Sequence, residues 1–128
     1  MPKVSKTTVE QQDFGPAHVH EGDVEGYTIS FGLFDETIDM APMFAGALPD
    51  GMCQCPHWGY VLKGTLAFRF ADHKEVFEAG DAFFVGPGHV PTFEAGTEMV
   101  QFSPTEELRA TDAAIRSYME ANGGTPPT

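Results

Sequence analysis

The sequence predicts an all-β domain, a sandwich or barrel, followed by one C-terminal α-helix. Three observations predict it. Apolar and polar residues alternate over several strand-length runs, the period of a strand with one buried face. Glycine and proline, 14 and 10 of the 128 residues, separate those runs at near-regular spacing, as antiparallel sandwiches and barrels require. At Ser103 the alternation gives way to a helical period. The length suits a single hydrophobic core without staples. One domain over residues 1–128 is therefore expected, with a barrel over about 14–102 and a helix over about 104–122.

Residues 1–13 are polar with isolated valines and read as a loose arm or weak edge strand. The glycine-dense segment GPAHVHEGDVEG reads as a loop or strand end. His18 and His20 in it are two apart, which suits either solvated histidines or a ligand pair on one strand face. YTISFGLF from Tyr27 to Phe34 alternates, with Tyr27, Ile29, Phe31 and Leu33 on one side. A short strand at Thr37 to Met40 follows. APMFAGALPDG then reads as a covering loop that lays Met43, Phe44 and Leu48 on the core.

Trp58 to Leu62 reads as a strand, Lys63-Gly64 as a turn, and Leu66, Phe68 and Phe70 as the buried side of the next strand. Asp72-His73-Lys74 is a turn, with His73 a turn residue. Short strands continue through Glu75–Glu78 and Ala82–Val85. GPGHVP then turns the chain, and the last strand runs from Thr97 to Phe102. Ser103-Pro104-Thr105-Glu106 reads as a helix start, with serine as N-cap and proline at the first helical position. Leu108, Ile115 and Met119 form one stripe of that helix, and Gly123-Gly124 ends it.

The metal-capable side chains concentrate at the start of the stretch from Gly51 to Phe93. Cys53, Cys55 and His57 are spaced by two, so an extended chain would present all three on one face. Pro56 falls between them, where proline marks a strand start, edge or bulge. Thiolate and imidazole together suit zinc or copper better than iron or manganese. The same cysteines also fit plain core residues or a redox pair. As a disulfide the pair is poor, because two extended residues set the α-carbons near the upper limit of about 6.8 Å.

Nineteen acidic against seven basic residues give a formal charge of −12, which repels phosphate backbones and anionic membrane surfaces. Nucleic acid and membrane are not expected as partners. With no leader pattern and no apolar run of spanning length, a cytoplasmic location with reduced thiols is expected.

The segments Tyr60-Val61-Leu62-Lys63-Gly64, Glu78-Ala79-Gly80-Asp81 and Pro87-Gly88-His89 with a following aromatic resemble the small cupins across about residues 45–102. The resemblance implies a double-stranded β-helix, or jelly-roll barrel, with two metal-binding motifs on facing strands. In the family these carry two histidines and a glutamate, then a third histidine after a PxG turn. Here those four positions fall on Gly51, Cys53, His57 and Pro91, with Gly86 where proline is usual. The usual ligand set is therefore not carried over. Either the barrel uses an apolar cavity without metal, or Cys53 and His57, completed by Cys55 or His89, hold a divalent ion. Trp58, Tyr60, Phe84, Phe93, Met99 and Gln101 are expected to line the cavity, with Tyr60 and Gln101 able to orient a polar ligand. A small organic molecule is the expected partner, as ligand or substrate. A homodimer is also expected, formed through open sheet edges and the apolar loop with Met43 and Phe44.

Overall fold

A computed structural model describes residues 3–122. Ten strands form two sheets: β1 (Gln11–Phe14), β2 (Ala17–Val24), β3 (Tyr27–Phe34), β4 (Ile38–Asp39), β5 (His57–Lys63), β6 (Thr65–Arg69), β7 (Lys74–Glu78), β8 (Ala82–Val85), β9 (Val90–Phe93) and β10 (Glu98–Pro104). One sheet has the order β1-β2-β3-β10-β5-β8 and the other β4-β9-β6-β7, all neighbours antiparallel. A short helix α1 (Ala41–Phe44) and a 3-10 turn (Pro49–Gly51) lie between β4 and β5, and the long helix α2 (Thr105–Ala121) follows β10.

The core between the sheets is apolar and rich in aromatics: Phe34, Val61, Leu66, Phe68, Phe83, Val85, Phe93 and Met99 are all buried. Phe34 stacks on Phe93 at 3.9 Å, and Phe68 meets Phe77 and Phe83 at 6.1 and 5.5 Å. Leu66 and Val61 are fully buried, each worth about 1.5–3 kcal/mol of hydrophobic transfer. Gly59 shows how closely this interior is filled. A Cβ there would stand 2.3 Å from the Phe83 ring, so only glycine lets that ring lie against β5.

A second cluster closes one end of the sandwich. Phe44, Leu48, Cys53, Cys55 and Val90 are buried together, and Met43, Leu108, Ala114 and Ile115 pack against them. The covering segment thus lies down on its own chain, as the sequence suggested. This corrects the dimer expectation in one respect: Phe44 is 5% exposed and is not offered to a partner.

Three boundaries differ from the sequence expectation. GPAHVHEGDVEG is a loop only at its two ends, because Ala17–Val24 pairs along its whole length with β3. The GPGHVP turn passes directly into strand β9, whose Pro91 sits opposite Phe68 of β6. Ser103 does not cap α2. It belongs to β10, Pro104 occupies the N-cap position, and no side chain caps the helix. Thr105 instead ties the junction down, its amide donating to Gly26 O at 2.9 Å and its hydroxyl meeting that of Thr28 at 2.9 Å. The stop at Gly123-Gly124 lies outside the described residues.

His18 bonds Asp13 through Nδ1 at 2.6 Å and Asp35 through Nε2 at 2.5 Å. Both partners are acceptors when ionised, so the ring donates twice and is an imidazolium. These bonds hold its pKa above the ordinary 6.5 and that of Asp13 below 3.8. The stabilisation is therefore complete below about pH 6.5 and is lost as the pH rises through the raised histidine value. On the acid side it is lost as the pH falls through the lowered aspartate value. His18→Gln should accordingly lower the melting temperature at pH 6 and leave it unchanged at pH 9. Equal losses at both pH values would mean that the charge plays no part. His20 is half-buried, with Nδ1 on Val9 O at 3.2 Å, so the two histidines are bonded to different partners.

Candidate metal centre

Two backbone segments meet beneath α2 to build the site. Cys53 and His89 form an isolated antiparallel bridge, Cys53 N donating to His89 O at 2.8 Å and His89 N to Cys53 O at 3.2 Å. Residues paired in this way project on the same side. The φ of +91° at Gly88 makes the tight turn into His89 that the bridge needs. His57, at the start of β5, faces inward and supplies the third side chain.

One donor atom each from Cys53, His57 and His89 lies within 4.8 Å of the other two, and all three residues are buried. Cys53 Sγ is 3.8 Å from His57 Nε2, and the two imidazoles meet edge to face at 5.1 Å. On its far side His57 Nδ1 meets Ser103 Oγ at 2.7 Å. The hydroxyl thus spends on the ring the bond that the sequence assigned to the helix cap. His89 Nδ1 donates to Gly86 O at 2.7 Å, leaving Nε2 as an unprotonated acceptor. That Nε2 is buried and has no hydrogen-bond partner.

Burial keeps the trio uncharged. It lowers the pKa of His57 to about 3, with His89 a smaller contributor, and lowers that of His89 against the opposing pull of Gly86 O. The Cys53 thiol is pushed up by burial, with Asp112 adding to the rise. Neutral imidazoles are the form that binds metal, and the thiol binds by releasing its proton. The same shifts weigh against a resting thiolate–imidazolium nucleophile, although cysteine, histidine and serine are linked in order.

The structure separates the remaining expected site residues. Cys55 stands outside the trio. It lies in a bend before β5, its Sγ is 3.5 Å from Pro56 O, and burial with the neighbouring Cys53 pushes its pKa up to about 12. The parity of two fails there because β5 begins only at His57, after Pro56. Trp58, Tyr60 and Phe84 are a correction: they are 43, 41 and 54% exposed, on the outer face of the six-stranded sheet. Since His57 points inward, Trp58 and Tyr60, one and three positions further on, point to the opposite face. Strand parity places Gln101 inward with Met99 and Ser103, and Phe93 is core. Ser103 is the site residue that sequence reasoning missed. Its signal was that same parity with Met99.

A cleft of about 180 Å³ opens between the loop and α2, lined by Leu48, Pro49, Gln54, Ala110, Thr111 and Ala114. Thr111 also adjoins the Cys53 thiol, so this cleft adjoins the trio from outside.

No protein-family profile and no curated protein matches this chain. Solved structures do. An RmlC-like cupin from Shewanella frigidimarina NCIMB 400 shares 20% identity over 78% of this chain and 87% of that one, with a TM-score of 0.56. The polyketide cyclase RemF from Streptomyces resistomycificus shares 14% over 81% and 79%, with a TM-score of 0.58. The S161A mutant of Bacillus subtilis oxalate decarboxylase OxdC shares 11% over 77% of this chain and 28% of its own, with a TM-score of 0.55. The chain therefore has the fold of a small cupin-type domain, a jelly roll of two antiparallel sheets with a C-terminal helix. Among the described residues no helix is long and apolar enough to cross a membrane.

Proposed function

We propose that this cupin-type domain holds a divalent ion, zinc or copper, on Cys53, His57 and His89 and presents it to a small organic molecule entering from the cleft beside α2. The observation that carries the reading is the partnerless Nε2 of His89, buried within reach of a thiol and a second imidazole. A buried acceptor without a partner costs about 1–3 kcal/mol, and an ion at that point removes the cost. The donor set fits. Tetrahedral zinc at about 2.3 Å from sulfur and 2.0–2.1 Å from nitrogen sets S and N about 3.5 Å apart, and Cys53 and His57 stand at 3.8 Å. Three protein donors leave a coordination position open, which is the pattern of reactive rather than purely structural sites. When bound, the ion would supply Lewis acidity. Ser103 would fix the tautomer and tilt of His57, Gly86 O those of His89, and α2 would shield the thiol from water. Leu48, Pro49, Ala110 and Ala114 favour a compact, mainly apolar molecule, with Gln54 and Thr111 available for one polar group.

Elemental analysis of protein purified without an affinity tag should find close to one equivalent of zinc or copper. Cys53→Ser should weaken its retention against a chelator at least about tenfold. Metal-free wild type whose thiols react freely with a thiol reagent would sink the proposal.

A further inference from the structure

The trio is closed off from water: Cys53, His57 and His89 are each 0–6% exposed. The cleft beside α2 is lined by Thr111, whose hydroxyl adjoins the Cys53 thiol, and by none of the three. A molecule in the cleft therefore meets the trio only when the cover shifts. That cover is α2. Leu108, Ala114 and Ile115 pack on the cluster that holds Cys53 and Cys55, yet no residue of the helix is itself buried and no side chain caps its N-terminus. Elements with little buried contact open locally at less cost than the whole fold.

The helical period sets Arg109, Asp112 and Arg116 along one flank of α2 and Ala110, Ala114 and Tyr118 along the other. The first flank is tied to the six-stranded sheet. Arg109 Nη1 donates to Glu21 Oε1 at 3.2 Å and Nη2 to Asp23 Oδ1 at 3.0 Å, both on β2, and Ser30 and Thr28 of β3 donate to the same carboxylates. The second flank lies over the cleft, because Ala110 and Ala114 are too small to fill the space against Leu48 and Pro49. Tyr118 closes its far end, its ring lying where a Cβ on Gly46 would stand 2.3 Å away.

We infer that α2 is a hinged cover over the trio, pivoting at Pro104–Thr105, and that Arg109 is the residue that holds it shut. Thr105 stays tied to Gly26 and Thr28 and so fixes the pivot. Arg109 is in ion-pair contact with three carboxylates, Glu21, Asp23 and Asp112. Without it, Asp112 on the helix faces the like charge of Glu21 on the sheet, so the contact that closes the cover would push it open. The pairs to β2 are only part-buried, which makes each weak and screened by salt, as a cover that opens readily requires. That an opening admits a small molecule to a bound ion rests on the function proposed above, whereas the opening itself does not.

The opening is measured on full-length protein freed of metal by a chelator. N-ethylmaleimide carries no charge and labels Cys53 only while the cover is open, and tandem mass spectrometry separates that label from one on Cys55. Labelling should be much slower than in the urea-unfolded chain and should stay flat in urea below the unfolding transition, as a local opening does. Arg109→Gln should speed it about fivefold or more, the combined worth of two such ion pairs. Salt should speed the wild type and leave Arg109→Gln unchanged. Arg109→Lys, which keeps the charge without the two-pronged contact, should fall between them. Loss of a cation does not make a nearby thiol more acidic, so a faster rate reports opening rather than altered chemistry. Equal rates in Arg109→Gln and wild type overturn the inference. So does a rate that climbs with urea from the first addition, which would mean that Cys53 is reached by global unfolding. Cys53 labelled as fast as in the unfolded chain overturns it too, because nothing then covers the trio. Metal content is read separately on untreated protein, so a chain without metal that labels as expected sinks the metal centre and keeps the cover, and a metal-loaded chain indifferent to Arg109 does the reverse.

Discussion

Replacing His89 with leucine should abolish stoichiometric metal retention while leaving the metal-free protein at least as stable as wild type. Losing a supporting group around a metal ligand costs 10–100-fold in affinity, so losing the ligand should cost more than about 100-fold. The stability half of the expectation is the unusual one. Substituting a buried hydrogen-bonded side chain normally destabilises a protein, but His89 Nε2 is buried and bonded to nothing. Leucine removes that unsatisfied acceptor, worth about 1–3 kcal/mol, which offsets the Nδ1 bond lost to Gly86 O. Denaturant titrations with and without chelator should therefore change order. Untreated wild type should be the more stable, and after chelation the variant should equal or exceed it. If His89→Leu is about 2 kcal/mol less stable in both conditions, His89 is a core residue and the metal centre is not real.

Phe68→Ala should cost about 3–5 kcal/mol of unfolding free energy, roughly a fifth or more of the 5–15 kcal/mol that a domain usually has. The ring is 2% exposed and sits where the two halves of the interior meet. It contacts Phe77 and Phe83 on one side, and on the other lies edge to face with His89 at 5.4 Å. The cavity left behind would have no neighbour free to fill it, because Phe83 is already held against Gly59. Chemical denaturation followed by circular dichroism measures the loss. A change under 1 kcal/mol would show that the core is looser than its packing implies.

The parts of this structure that were legible in sequence are those where hydrophobic period and turn chemistry agree. The alternation of β3 and β10 could be read directly, and so could the strand–turn–strand run of β5 and β6, but not that these two strands enter opposite sheets instead of pairing as a hairpin. Strand β2 could not, because neither of its faces is apolar. Its inward Glu21 and Asp23 are bonded to Ser30 and Thr28 and reached by Arg109 from α2, a polar seam that periodicity cannot detect. At the site, parity placed Cys53 and His57 together. Cys55 was misread because Pro56 ends the regular spacing, and Trp58, Tyr60 and Phe84 because size was weighed above parity. His89 was recognised as a donor, but its backbone bridge to Cys53 is a tertiary contact that sequence does not show. Ser103 was given to the helix because its local pattern matches a cap. The imidazole that competes for its hydroxyl arrives from a distant strand.

The Cys53–His89 bridge also bears on how an ion could be acquired. Those residues lie far apart in the sequence and are joined only by tertiary pairing, so their donors do not exist as a set in an unfolded chain. An ion cannot template this fold in the way that zinc templates a zinc finger. An ion held as proposed would meet donors already set in place, and the choice between zinc and copper would then fall to their arrangement and to what the surroundings supply, rather than to whichever ion first reached the unfolded thiols.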